Sequence, residues 1–163
     1  MLSKAIDTAV KMEIDAMKFY HEAAQKTIHP FAKRMFQGFV RDEDRHLKML
    51  RDILSGMDLK IISLHPKAEI RTAFSDLKEQ MMERISASTD EIEAVQVALD
   101  FETKGFEFYK KAAAEAADER EKALFSALAG EEQEHYSILQ NTYSFLKDTG
   151  DWFMWQEQGI LEG

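Results

Sequence analysis

The sequence predicts an all-α protein: a four-helix bundle with a long crossover between helices 2 and 3, plus a short C-terminal segment. Three observations carry this. The chain of 163 residues holds two prolines and seven glycines and is rich in Ala, Leu, Met, Glu and Lys, the residues that cost least in a helix. Apolar side chains recur at three- and four-residue intervals along four long stretches. The chain also repeats itself. Glu43-Asp44-Arg45-His46 and Glu132-Gln133-Glu134-His135 stand 89 positions apart. At the same offset Glu13 meets Glu102, Phe19-Tyr20 meets Phe108-Tyr109, Ala23-Ala24 meets Ala112-Ala113, Phe36 meets Phe125, and Leu50 meets Leu139. No gap is needed between residues 5 and 50. Residues 1–163 are therefore read as a single domain built by duplication of a helix pair, about 3–55 and 92–144.

The first helix is expected over residues 3–28, with Ser3 as its N-cap and a stripe through Ile6, Ala9, Val10, Ala16, Met17, Tyr20, Ala23 and Ala24. His29-Pro30 breaks it, and Pro30 suits the first position of the second helix. That helix runs to Leu54 through Met35, Phe36, Phe39, Leu50 and Ile53, and Gly56 ends it. Residues 57–88 are long for a simple connection, and Pro66 can start a linking helix within them. Such a length suits a chain that must cross from one end of a bundle to the other. Ser88 or Thr89 caps the third helix, with Glu91 completing a capping box after Ser88. The third helix spans about 90–117, through Val95, Ala98, Leu99, Phe106, Tyr109 and Ala112. Asp118 and Glu121 open the fourth, which carries Leu124, Phe125, Leu128, Leu139 and Leu146 and ends at Gly150. The tail, with Trp152, Phe153, Met154 and Trp155, is too aromatic for a solvated tether and is expected to fold back onto the bundle or a neighbouring subunit.

Composition narrows the function. Net charge is −9 with both signs interspersed, and no basic stripe exists to meet nucleic-acid phosphates. There is no cysteine, hence neither a disulfide nor a thiolate-bound metal. No run of about 18 apolar residues exists to span a membrane. The N-terminal residues lack a continuous apolar stretch, so a cytoplasmic location is expected.

Four glutamates interrupt the apolar stripes, one on each helix: Glu13, Glu43, Glu102 and Glu132. His46 and His135 follow the second and fourth by one turn, so each Glu-x-x-His pair shares a helix face. A single such pair in a helix is commonly a surface accident. Two in register, with two further glutamates in register, all on core faces, are not. Four uncompensated buried carboxylates would each cost several kcal/mol or take up protons instead. Two divalent cations would neutralise them, and the imidazoles add ligands without adding charge. Oxygen and nitrogen donors without thiolate suit iron or manganese better than structural zinc. Ala16 and Gly105, one turn after Glu13 and Glu102, would leave room beside the metals. Tyr20 and Tyr109 lie about two turns beyond Glu13 and Glu102 and can be either core tyrosines or donors to ligand carboxylates. His21, His29 and His65 lack the pairing and are read as solvated.

These six residues match a known pattern. Over about residues 3–147 the chain resembles the ferritin-like di-iron carboxylate proteins, and among them the rubrerythrin-type domain. That class places a Glu on each of two helices and Glu-x-x-His on each of the other two. The resemblance implies that Glu43 and Glu132 bridge two Fe ions, with Glu13 and His46 terminal on one and Glu102 and His135 on the other. Mn or Zn would take the same places in purified protein. Tyr20 matches the family's tyrosine behind the ligands. The implied activity is reduction of hydrogen peroxide or O2 by a cytoplasmic homodimer. Rubrerythrins carry a rubredoxin-like module with four cysteines. This chain has none, so electrons are expected to come from a separate rubredoxin-like donor protein or from none. Leu99 stands where rubrerythrins have an additional glutamate linked to an iron shift. The alternative is a non-catalytic ferritin-like protein that binds or handles iron.

Overall fold

In the computed structural model, residues 4–56 and 89–147 are described, and they form four helices. These are α1 (Lys4–Lys26), α2 (Pro30–Leu54), α3 (Thr89–Glu115) and α4 (Glu119–Lys147). The linking helix expected from Pro66, the caps expected at Ser3 and Ser88, the stop at Gly150, His65 and the Trp-rich tail all lie outside the described residues.

Local chemistry sets the ends. Three residues join α1 to α2. His29 takes the extended N-cap conformation and Pro30 follows at the first helical position, where its missing N–H costs nothing. The other end of α2 closes on Gly56 at φ +71°, a left-handed turn that glycine enters without a Cβ penalty. Gly56 N–H donates to the Ile53 carbonyl at 3.2 Å. Asp118 caps α4: its Oδ1 accepts from the Arg120 N–H at 2.8 Å and its carbonyl accepts from the Lys122 N–H at 3.0 Å. The Glu91 Oε1 expected to serve its own helix accepts instead from the backbone N–H groups of Ile28 and His29, at 2.6 and 2.9 Å. A carboxylate on α3 thus satisfies donors left over at the entrance to α2.

The short connections make α1–α2 and α3–α4 the two extensive hairpins, joined through α2–α4 and α1–α3 packing. The bond from Glu91 to Ile28 places the start of α3 beside the end of α1. Phe31 meets Phe145, so the start of α2 lies beside the end of α4. At the opposite end, Ile6, Leu50, Ile53, Ala113 and Leu124 share one cluster. α2 therefore finishes at the end of the bundle remote from where α3 begins, about 35 Å away at the rise of an α-helix.

The core is divided. One apolar cluster holds Tyr20, Phe31, Phe36, Phe39, Ile138 and Leu139, and the other holds Ile6, Leu50, Tyr109, Phe125 and Leu128. Glu13, Glu43, His46, Glu102, Glu132 and His135, all buried, form a polar layer between the two. The sequence repeat reappears as geometry. Tyr20 and Phe36 stack at 6.0 Å and 26°, and Tyr109 and Phe125 at 6.0 Å and 25°. Phe19–Tyr20 and Phe108–Tyr109 meet edge-on at 5.5 and 5.4 Å. One expectation fails: His29 is buried, with its ring edge-on to Phe145 at 5.7 Å, because the tight α1–α2 connection turns it inward. Burial lowers its pKa, with Glu91 acting weakly the other way. His21 is exposed, as expected.

Equivalent packing predicts equivalent energetics. Phe36→Ala and Phe125→Ala should each destabilise the metal-free protein by about 3–5 kcal/mol, measured by urea denaturation. A large difference between them would mean that the two halves no longer pack alike.

Candidate metal centre

Each helix delivers one carboxylate to the polar layer because Glu13, Glu43, Glu102 and Glu132 occupy stripe positions that are otherwise apolar. Two groups of side chains result, each able to offer donor atoms that all lie within 4.8 Å of one another. One is Glu13, Glu43, His46 and Glu132; the other is Glu43, Glu102, Glu132 and His135. Glu43 and Glu132 belong to both. The structure thus brings together all six residues picked from the sequence, in the pairing that the repeat gives. His46 and His135 lie with ring centroids 6.1 Å apart.

The histidines have an orientation that the sequence did not reveal. His46 Nε2 lies 2.8 Å from Glu131 Oε2, and His135 Nε2 lies 2.8 Å from Asp42 Oδ2. With Nε2–H donating to these carboxylates, Nδ1 is the nitrogen turned to the centre. His46 Nδ1 is 3.0 Å from Glu43 and 3.5 Å from both Glu13 and Glu132. His135 Nδ1 is 3.4 Å from Glu102 and 3.5 Å from Glu43. A carboxylate behind an imidazole fixes its tautomer and makes its free nitrogen a better ligand. The bonds run crosswise: the carboxylate on α2 holds the histidine on α4, and the reverse. Asp42 and Glu131 obey the 89-residue offset and precede Glu43 and Glu132 directly, so the repeat could have revealed them. Their crosswise pairing could not be read, because each is also four residues before a histidine on its own helix.

Arg45 spans both supports. Its Nη1 donates to Glu131 Oε1 at 2.9 Å and its Nη2 to Asp42 Oδ1 at 3.3 Å, and Nη2 also meets Glu131 Oε2. Burial would raise the Glu131 carboxyl, but hydrogen bonds from His46 and Arg45 bring it down to about 2.

Both tyrosines serve the centre, again crosswise. Tyr20 Oη on α1 donates to Glu102 on α3, and Tyr109 Oη on α3 donates to Glu13 on α1. Burial first, then the neighbouring carboxylates, raises both phenols well above their ordinary value. They keep their protons and act as fixed donors.

The electrostatics are those of ligands waiting for charge. Burial and the neighbouring Glu43 push Glu13 up to about 8, and burial with Glu102 and Glu43 raises Glu132 well above the carboxylate range. Burial opposes charge on Glu43 too, but its neighbours Glu13, His135 and His46 hold it well below that range. Burial likewise opposes imidazolium at His46 and His135, yet Glu13 and Glu102, respectively, lead the interactions that raise both. The fit to cations is visible in individual atoms. Glu43 Oε1, Glu102 Oε2, Glu132 Oε1 and His135 Nδ1 are buried without a hydrogen-bond partner. Such groups are costly unless something fills the role, and all four belong to the two donor sets.

Gly105 explains how α1 and α3 leave space. A Cβ built on it would lie 2.8 Å from Glu132 Oε2, so any side chain there would displace that carboxylate. A cavity of about 300 Å³ opens here between α1 and α3, floored by Glu13, Glu102 and Glu132.

No helix among the described residues is long and apolar enough to cross a membrane. A family model described as rubrerythrin matches residues 4–143 of the chain. No curated protein and no solved structure matches it.

Three outcomes are expected from this geometry. Protons that the buried carboxylates and imidazoles hold in the metal-free protein must leave when cations bind, so loading at pH 7 should release protons. Calorimetry in buffers of different ionisation enthalpy reads this directly. The sign for the metal-free protein is also fixed. Glu13 has a folded pKa above its unfolded one, so its contribution is complete below the ordinary carboxylate pKa and is lost as pH rises through about 8. The raised histidines act in the same direction. Metal-free protein should therefore lose stability from about pH 5 to about pH 8, and metal-loaded protein should not. Separately, Gly105→Ala should weaken cation affinity by about tenfold or more through displacement of Glu132, in a competitive chelator titration. Unchanged affinity would mean that Glu132 can rearrange without loss.

Proposed function

The chain belongs to the rubrerythrin family, a ferritin-like di-iron family, and from that premise we propose a non-haem di-iron oxidoreductase. It reduces hydrogen peroxide, or O2, with electrons from a separate donor protein. The observation that supports this best is the convergence of buried, partnerless ligand atoms in two sets that share Glu43 and Glu132. In this reading Glu43 and Glu132 would be shared by the two ions, with Glu13 and His46 completing one set of ligands and Glu102 and His135 the other. When bound, two ferrous ions supply two electrons and open coordination positions for an oxygen species.

The chain's residues do the rest. Asp42 and Glu131 hold the imidazoles so that only Nδ1 can bind. Tyr20 and Tyr109 anchor Glu102 and Glu13 from outside and keep those carboxylates turned inward. The apolar clusters on both sides exclude water, which strengthens each electrostatic contact within the layer. Gly105 and Ala16 leave the α1–α3 side open, so a small oxidant reaches the centre without the helices separating. A separate electron-donor protein and a cytoplasmic homodimer are part of the same proposal.

The test begins with iron loading in the absence of air. Two irons per chain should bind, and hydrogen peroxide should change the near-ultraviolet absorption with turnover when a reductant is supplied. Glu43→Ala combined with Glu132→Ala should lose both irons. An iron-loaded protein whose absorption does not respond to peroxide or O2 would sink the proposal. A large closed shell with many irons per chain would establish iron storage in its place.

A further inference from the structure

The cavity between α1 and α3 is larger than hydrogen peroxide needs. Its volume is about 300 Å³, against roughly 30 Å³ for one water in the liquid, and small-molecule sites begin at about 300 Å³. Its walls are Met12 and Ala16 from α1 and Phe101 and Phe108 from α3. All four are part-buried. Polar groups lie only at its two ends. Glu13, Glu102 and Glu132 form the floor, and the exposed Asp15 and Lys104 stand at the rim. A site with apolar walls and its chemistry at one end suits a molecule built the same way.

From this we infer that the centre also accepts organic hydroperoxides, with the alkyl or aryl group held among Met12, Ala16, Phe101 and Phe108 and the O–O group turned to the carboxylate floor. The inference rests on the proposed di-iron oxidoreductase and extends its substrate class. The substrate is neutral, because a carboxylate or peroxy-acid anion would meet the glutamates of the floor. The reaction is ROOH + 2 e⁻ + 2 H⁺ → ROH + H2O. The O–O bond breaks, the hydroperoxide is reduced, and the two electrons come from the reduced centre, which the external donor restores. The alcohol keeps the R–O bond and leaves by the same opening. The cavity's position accounts for the selectivity: a group between Ala16 and Phe108 stays over the floor, whereas water and hydrogen peroxide gain nothing from these walls.

The full-length, iron-loaded protein is given hydrogen peroxide or cumene hydroperoxide with a chemical reductant. Cumyl alcohol is quantified and KM is determined for both oxidants. The expected result is stoichiometric cumyl alcohol, with a KM for cumene hydroperoxide about tenfold or more below that for hydrogen peroxide, the range that apolar pocket contacts supply. Ala16→Phe, which fills the cavity, should lower the preference for cumene hydroperoxide over hydrogen peroxide by about tenfold. Phe101→Trp provides the same comparison from the opposite wall if Ala16→Phe does not fold. Zinc-loaded protein gives a second readout, since cumyl alcohol should bind it and shift methyl resonances of Met12 in the NMR spectrum. Reduction of hydrogen peroxide without cumene hydroperoxide, or a preference that cavity-filling leaves unchanged, overturns the inference and leaves the di-iron reading standing. Failure with both oxidants removes the di-iron reading, and the inference falls with it.

Discussion

Negative charge buried at mid-bundle is the constraint on which the rest of this structure depends. Glu13, Glu43, Glu102 and Glu132 lie within one layer at 5% exposure or less, where an isolated carboxylate is among the least favourable groups a fold can hold. The metal-free chain meets the problem with protons, which is why Glu13 and Glu132 are raised while Glu43 remains ionised. Cations meet it better, because they also satisfy oxygen and nitrogen atoms that no proton can reach together. The two apolar clusters, the stacked tyrosines and the crosswise hydrogen bonds all hold this layer closed. The bundle is thus more stable as a container than as an empty assembly of helices.

The fold was legible because its signals are local and repeated. Helical spacing, Pro30 at a first helical position and Gly56 beyond a last one each specify backbone over a few residues, and the structure follows them within two residues at the described ends. The six central residues were legible for a different reason. A glutamate on an apolar stripe contradicts its surroundings, and the same contradiction at a fixed offset is difficult to produce by chance. What was not legible depends on which helix faces which. Asp42 and Glu131 obey the repeat, but their roles appear only when α2 and α4 lie side by side. His29 looked like a loop residue, and only the path of the α1–α2 connection buries it. Glu91 suggested a cap for its own helix and instead satisfies the start of another.

Tyr20 and Tyr109 tie the sequence repeat to the buried site. Each reaches across to the glutamate of the other half, so neither helix pair could assemble this layer alone. Asp42 and Glu131 repeat the arrangement one layer out. Every support of the centre crosses the boundary between the two repeats, and folding one half against the other is the same event as organising the ligands. The outer carboxylates also alter the charge balance: Asp42 and Glu131 contribute two negative charges and Arg45 one positive.

Arg45 is where the two halves part company. Its counterpart at the repeat offset is Glu134, a reversal of sign in a frame that is otherwise mirrored. The guanidinium meets Glu131, behind His46, through both of its terminal nitrogens, and touches Asp42, behind His135, through Nη2 alone at 3.3 Å. Phe39 covers the His135 ring at 4.2 Å, and its own counterpart is Leu128. Two halves that repeat one another in sequence thus give their imidazoles unequal surroundings, and the electron density each can lend to a neighbour differs accordingly.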